Sequence, residues 1–141
     1  FTQRKKPIQF TRSRAYHKDD NAHVEQKNWT HVRQWLGYQR FDNPKVVPLM
    51  NQLYKSEWRL FHNFFCPSVK LISKERIASK TLKHYDVPKT PYQRVMESTL
   101  VYEKTKAALT KQLQTLNPFE LRRAIELRLE RVFKLLHGSK P

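Results

Sequence analysis

Glycine, cysteine and acidic side chains are all scarce in this chain, and each shortage removes a class of protein. Only two of 141 residues are glycine, so few positions accept a positive φ at no steric cost, and a mainly helical chain is expected. Cys66 stands alone, which excludes an internal disulfide and a cysteine metal cluster. A reducing, cytoplasmic setting is the natural default. No apolar run approaches a membrane span and no signal peptide is visible. There is no glycine-rich phosphate loop for nucleoside triphosphates, and no histidine pair four residues apart around a glutamate for a zinc peptidase.

What is present is positive charge. Twenty-eight Lys and Arg stand against 12 Asp and Glu, a formal net charge of +16 with a sequence pI near 10.2. Such an excess favours a polyanionic partner, because each neutralised phosphate releases counterions. Nucleic acid is the first expectation. No membrane partner is expected, since the helical stretches lack the apolar bulk of interfacial anchors. Hydrophobic residues at 38% and charged residues at 28% argue for a folded chain with a modest core.

The most informative stretch is DDNAHVEQKNWTHVRQWL, residues 19–36. Asp20 or Asn21 can cap a helix start. At helical spacing Ala22, Trp29, Val32 and Leu36 share one side, and His23, Lys27, Thr30, His31 and Gln34 the other. Glu25 falls inside the apolar stripe. An ionised carboxylate facing a core needs an arginine partner or a bound cation, and the spacing by itself leaves both open. His17, His23 and His31 read as surface residues.

Around this stretch, residues 8–13 read as one short strand. Gly37 is a helix C-cap, and Asn43-Pro44 starts a second helix that runs to Phe65 and closes at Cys66-Pro67. Pro48 is expected to kink its first turn against the Pro44 carbonyl. Trp58, Phe61, Phe64 and Phe65 can be a base-stacking platform or, as is commoner at this spacing, core. Residues 68–86 read as a short basic helical segment, and 86–93, DVPKTPYQ, as a Pro-punctuated linker. A helical hairpin closes the chain, its second helix capped by Asn117, Pro118 and Glu120, with charges from Arg122 to Arg131 on a solvated face. Three regions result: 1–40, a helical extension over 41–88, and 89–141 with the linker and the hairpin.

The run IQFTRSRAYHKDDNAHVEQKNW, with FHNFFCPSVKLISKERI (61–77) and KTPYQRVMES (89–98) after it, closely resembles the last acidic motif and following segment of insertion-sequence transposases with a retroviral-integrase-like catalytic core. The resemblance extends from about Ile8 to Glu97 and is weaker beyond. It implies an RNase H-like α/β core, of which this chain carries the C-terminal remnant: one strand plus the Glu-bearing helix, followed by the helical extension. By position, Glu25 is the third carboxylate of an Asp-Asp-Glu triad that holds Mg²⁺ or Mn²⁺ in the complete enzyme. Asp19 stands where the family more often has Asn.

The resemblance further implies DNA transposition or integration. In that reaction three carboxylates hold two divalent ions for an in-line phosphodiester attack, with self-association of the complete transposase. The chain opens at Phe1, and its first Met is Met50. It is therefore expected to be a C-terminal portion, inactive alone because the two upstream aspartates are absent and Asp19 and Asp20 lie at the helix start. Arg12, Arg14, Tyr16 and Lys18 from the strand and loop, with Asn21, Asn28 and Arg33 on the helix, are the expected DNA contacts. The rival expectation is a non-enzymatic basic helical module for DNA or RNA.

Overall fold

The computed structural model describes residues 12–138. It is mainly helical with one small antiparallel sheet, and it divides into two compact units between Arg40 and Phe41. Most of the strand expected over 8–13 lies outside the described residues, and Arg12 and Ser13 are exposed coil.

In the first unit a 3₁₀ turn (Lys18–Asn21) leads into α1 (Ala22–Asn28), one wide π turn (Trp29–Arg33) and α2 (Gln34–Leu36). The expected cap forms differently. Asn21 is the N-cap residue but its side chain makes no cap bond, and the Asp20 carboxylate binds Arg14 instead. Gly37, at φ 68°, ends the run as expected, its N–H bonding the Arg33 carbonyl at 2.9 Å.

The second unit is built on a long helical run: α3 (Val46–Leu53), a π turn (Tyr54–Trp58) and α4 (Arg59–Phe65). Asn43 Oδ1 accepts from the Lys45 N–H at 3.0 Å, so it caps the approach while regular helix begins at Val46. Pro48 therefore sits in the first turn, where its missing N–H costs nothing, and the Pro44 carbonyl is taken by Val47 in a turn. The two π turns share a local feature. Thr30 and Ser56 each donate to the carbonyl four residues back, at 3.0 and 2.6 Å. That back-bond competes with the regular ladder.

Helix α7 (Pro118–His137) lies along this run. Its Ile125, Leu129 and Val132 recur at i, i+4 and i+7 and are buried, as are Val46, Leu53 and Phe64 opposite them. Each such side chain contributes roughly 1.5–3 kcal/mol of transfer free energy. The expected closing hairpin does not form, because the apolar stripe of α7 is spent on α3 and α4 rather than on α6 (Glu103–Gln114). Asn117 caps α7 as expected, accepting from Phe119 N–H at 3.0 Å. The expected solvated face holds for Arg122, Arg123, Glu126, Glu130 and Arg131 but not for Arg128. Arg128 reaches Glu57 at 2.8 Å, with both side chains about one-fifth exposed.

The aromatic stripe is largely internal. Phe64 is buried and packs on Tyr92 (ring centroids 5.3 Å apart), while Trp58 stacks on His62 at 4.1 Å. Tyr92 belongs to α5 (Pro91–Glu97), a helix where a linker was expected. Its start is a complete capping box: Thr90 Oγ1 accepts from the Gln93 N–H, and Gln93 Oε1 accepts from the Thr90 N–H.

The largest departure is at 68–86. The expected helical segment is a β-hairpin, β1 (Leu71–Ile77) paired antiparallel with β2 (Lys80–Tyr85) through a two-residue loop, Ala78-Ser79. Ala78 adopts φ 54°, a left-handed geometry normally given to Gly or Asn. Local β-branched residues and pairing override the weak helical spacing.

Candidate functional site

Two surfaces carry concentrated chemistry, one in each unit. In the first, Arg14 grips the start of the helical run. Its Nε and Nη2 donate to the two Asp20 carboxylate oxygens at 3.0 and 2.9 Å, and its backbone N–H donates at 3.0 Å. This fork holds the Asp20 carboxyl below its ordinary range and raises Arg14 above its own. It clamps the loop 14–20 against the helix. Tyr16, at the loop's apex, is fully exposed and held at φ 62°, a position that costs free energy for a non-glycine residue.

Glu25 lies one turn into α1 and is exposed, as are Ala22, Val24 and Trp29 around it. The sequence-based picture of a carboxylate inside a buried stripe is therefore corrected. Only Leu36, at the far end, is fully buried, and Val32 is half-buried. The π turn holds more residues than a regular turn, so it rotates Val32 and Leu36 away from the line through Ala22 and Glu25. Water solvates the charge, and no compensating partner is required.

The other expected contacts separate into two groups. Arg12, Asn21 and Asn28 are exposed. Arg33 is half-buried: its Nη1 donates to the Gly37 carbonyl at 3.3 Å and its guanidinium lies 4.6 Å from the Tyr38 ring centroid. It closes the helix C-terminus rather than facing outward. Lys18 stands in the 3₁₀ turn, and its side chain lies outside the described residues. His17 and His23 are exposed, but His31 is half-buried, and desolvation followed by the charge of Lys27 lowers its pKa.

Among the described residues no group of three His, Cys, Asp or Glu converges to hold a metal ion. Glu25 by itself offers one carboxylate where Mg²⁺ takes about six oxygen ligands. The described residues thus do not form a cation site, and Asp20 is already committed to Arg14.

The second surface is the hairpin, which the helical reading of 68–86 concealed. Its base is tied to α5 by one carboxylate. Asp86 accepts from the Lys70 N–H at 2.5 Å and from Arg94 at 2.5 and 3.2 Å, while Arg94 Nη2 also donates to the Ser68 carbonyl at 2.6 Å. The Arg94 guanidinium and then the Lys70 N–H lower the Asp86 pKa to about 2. Beyond that anchor both faces of the hairpin are open: Ile72 is 70% and Ile77 57% exposed.

The register puts Lys74 directly opposite Lys83 and Arg76 opposite Thr81 on one face. Like charges directly opposite destabilise a strand pair. Glu75, the only acid in either strand, pairs with Leu82 on the other face. The i, i+2 spacing of Lys74 and Arg76, with Ile72, Ile77 and Leu82 nearby, was the signal available in the sequence.

The second unit also holds a cavity of about 260 Å³ between α4, α5 and α6, lined by Phe64, Tyr92 and Leu109 among others. Arg59, Asn63 and Gln112 are its polar lining, with no acid, histidine or thiol. Cys66 is half-buried, and burial raises its pKa, so the thiol stays protonated and inert. No helix among the described residues is long and apolar enough to cross a membrane.

Comparison with known proteins identifies one similarity. Over 91 residues the chain is 42% identical to the uncharacterized protein y4rM of Sinorhizobium fredii, a match covering 64% of this chain and 26% of that protein. The chain spans about a quarter of its relative's length. No family model and no solved structure matches.

Proposed function

We propose that this chain is the C-terminal portion of an Asp-Asp-Glu transposase that acts on DNA, with Glu25 as the third metal-binding carboxylate. In this reading residues 1–40 are the end of an RNase H-like core, and residues 41–88 are the helical extension. The observation that carries it is the presentation of Glu25: an exposed carboxylate on α1, one turn beyond a basic loop that the Arg14–Asp20 fork clamps to the helix. The long sequence resemblance and the net charge of +16 support the same partner.

When bound in the complete enzyme, Mg²⁺ or Mn²⁺ supplies charge stabilisation for phosphodiester attack. This chain's own residues contribute one carboxylate and cationic contacts. Arg12, Lys18 and, by exchanging Asp20 for a phosphate, Arg14 neutralise the backbone, and exposed Tyr16 stacks on a base. Asn21 and Asn28 flank Glu25 on the exposed helix face.

The test is metal-dependent DNA cleavage and joining by a form extended upstream, beside this chain. Activity in the extended form alone, abolished by Glu25→Gln, is the expected result. A second reading, a non-catalytic nucleic-acid-binding module, is favoured by the open basic hairpin. Salt-sensitive binding that ignores removal of divalent ions, with no cleavage in either form, would establish it instead.

A further inference from the structure

We propose that the β1–β2 hairpin is a second contact surface for duplex DNA, its Lys74, Arg76 and Lys83 face set against backbone phosphates. The choice of DNA over other polyanions rests on the function proposed above. The surface itself rests on independent geometry.

Three observations converge on it. The ladder places two lysines face to face, with Arg76 beside them and no acid on that side. None of the three makes an ion pair among the described residues, although other Lys and Arg in the chain find carboxylates. A repulsive, unneutralised pair on a fully exposed face is a surface made for an anion that the described residues do not provide.

Next, the hairpin is held at its base and open at its tip. The Asp86–Arg94 pair and the Ser68–Lys89 bridge fix the two strand ends to the start of α5. Among the described residues the strands pair essentially with each other rather than packing under a helix. An anchored ribbon keeps its cations at a fixed spacing, so binding costs little ordering entropy.

Finally, the shape suits the partner. A two-stranded ribbon is one of the few elements that the major groove, about 12 Å wide, admits. The opposite face, carrying Glu75, Ile77, Lys80 and Leu82, would then lie away from the phosphates. A membrane surface fits less well, because the Glu75 carboxylate shares the face of Ile77 and Leu82 and would have to enter the acyl region with them.

The experiment measures the affinity of the whole chain for a random-sequence duplex across a range of salt concentrations. Lys74→Gln with Lys83→Gln should make the log–log salt slope shallower by about 1.8, or 0.9 for each phosphate no longer neutralised. As a comparison of equal charge, Lys104→Gln with Lys111→Gln removes two exposed lysines of α6 and should leave the slope unchanged.

Lys83→Glu guards against a folding artefact. It places a carboxylate opposite Lys74, which should strengthen the hairpin, yet it should weaken duplex binding at least as much as the double substitution. An unchanged slope in the hairpin variants, or an equal change in the α6 variant, overturns the proposal. Weakened binding to anionic vesicles or single-stranded RNA but not to duplex overturns the choice of partner. Hairpin-dependent duplex binding without metal-dependent joining in the extended form would sink the transposase reading alone.

Discussion

Replacing Arg128 with Met should strand the Glu57 carboxylate at the seam between α7 and the long helical run. In the native chain Arg128 Nη2 donates to Glu57 Oε1 at 2.8 Å, and the Ser56 hydroxyl is shared between the other oxygen and the Gln52 carbonyl. The side chains are 23% and 20% exposed, between two regimes. A solvent-exposed pair contributes under about 1 kcal/mol, whereas breaking a fully buried one costs about 3–5 kcal/mol. About 2 kcal/mol is expected here, from the carboxylate left without its cation rather than from the missing attraction.

The melting temperature of a unit this size should fall by roughly 8–15 °C. Glu57→Gln with Arg128→Met should recover much of that stability, since no charge is then left at the seam. Acidity supplies an internal check. Desolvation raises the Glu57 pKa, but the bonds from Arg128 and Ser56 outweigh it and the folded value lies below 4.5. Ionised Glu57 therefore stabilises the fold above its unfolded pKa, and the contribution disappears as pH falls through the folded value. Urea unfolding should show the largest gap between native and Arg128→Met chains near neutrality, narrowing in acid. Equal stabilities at pH 7, or a double variant as unstable as the single one, would refute the reasoning.

Other perturbations follow from the hairpin and from α5. Asp86→Asn should loosen the hairpin base, read as faster amide exchange at Lys70 and along β1 with α7 unaffected. Because the Asp86 pKa lies at about 2, the native anchor should be complete above the unfolded value and fail only as pH drops through about 2. Ala78→Gly should stabilise the hairpin by roughly 1 kcal/mol by relieving the positive φ, detected as slower exchange in β1 and β2. Thr90→Ala should cost about 1 kcal/mol by removing the capping box, and Thr90→Ser should retain most of it in the same unfolding assay.

Local chemistry was legible where one residue type has one dominant physical use. Gly37 ends a helix because only a left-handed residue ends it cheaply, and Asn117-Pro118 begins one because it supplies a cap and needs no N–H. The apolar spacing of Ile125, Leu129 and Val132 marked the buried stripe of α7. The Thr90–Gln93 box was equally local, but the two prolines around it read as a linker.

What the sequence by itself determined, then, is the helical character, the positive charge, the helix ends and the identity of the carboxylate worth testing. These depend on neighbours within a turn or on simple sums. Tertiary structure decided the rest. Whether Glu25 is buried depends on the phase shift of a π turn and on what covers the helix, and spacing along one strand of sequence contains neither. Which helix α7 chooses depends on complementary faces far apart in the chain, joined by Glu57 and Arg128. The hairpin at 71–85 turns on a non-glycine residue at positive φ, a conformation that pairing across the ladder imposes against local preference.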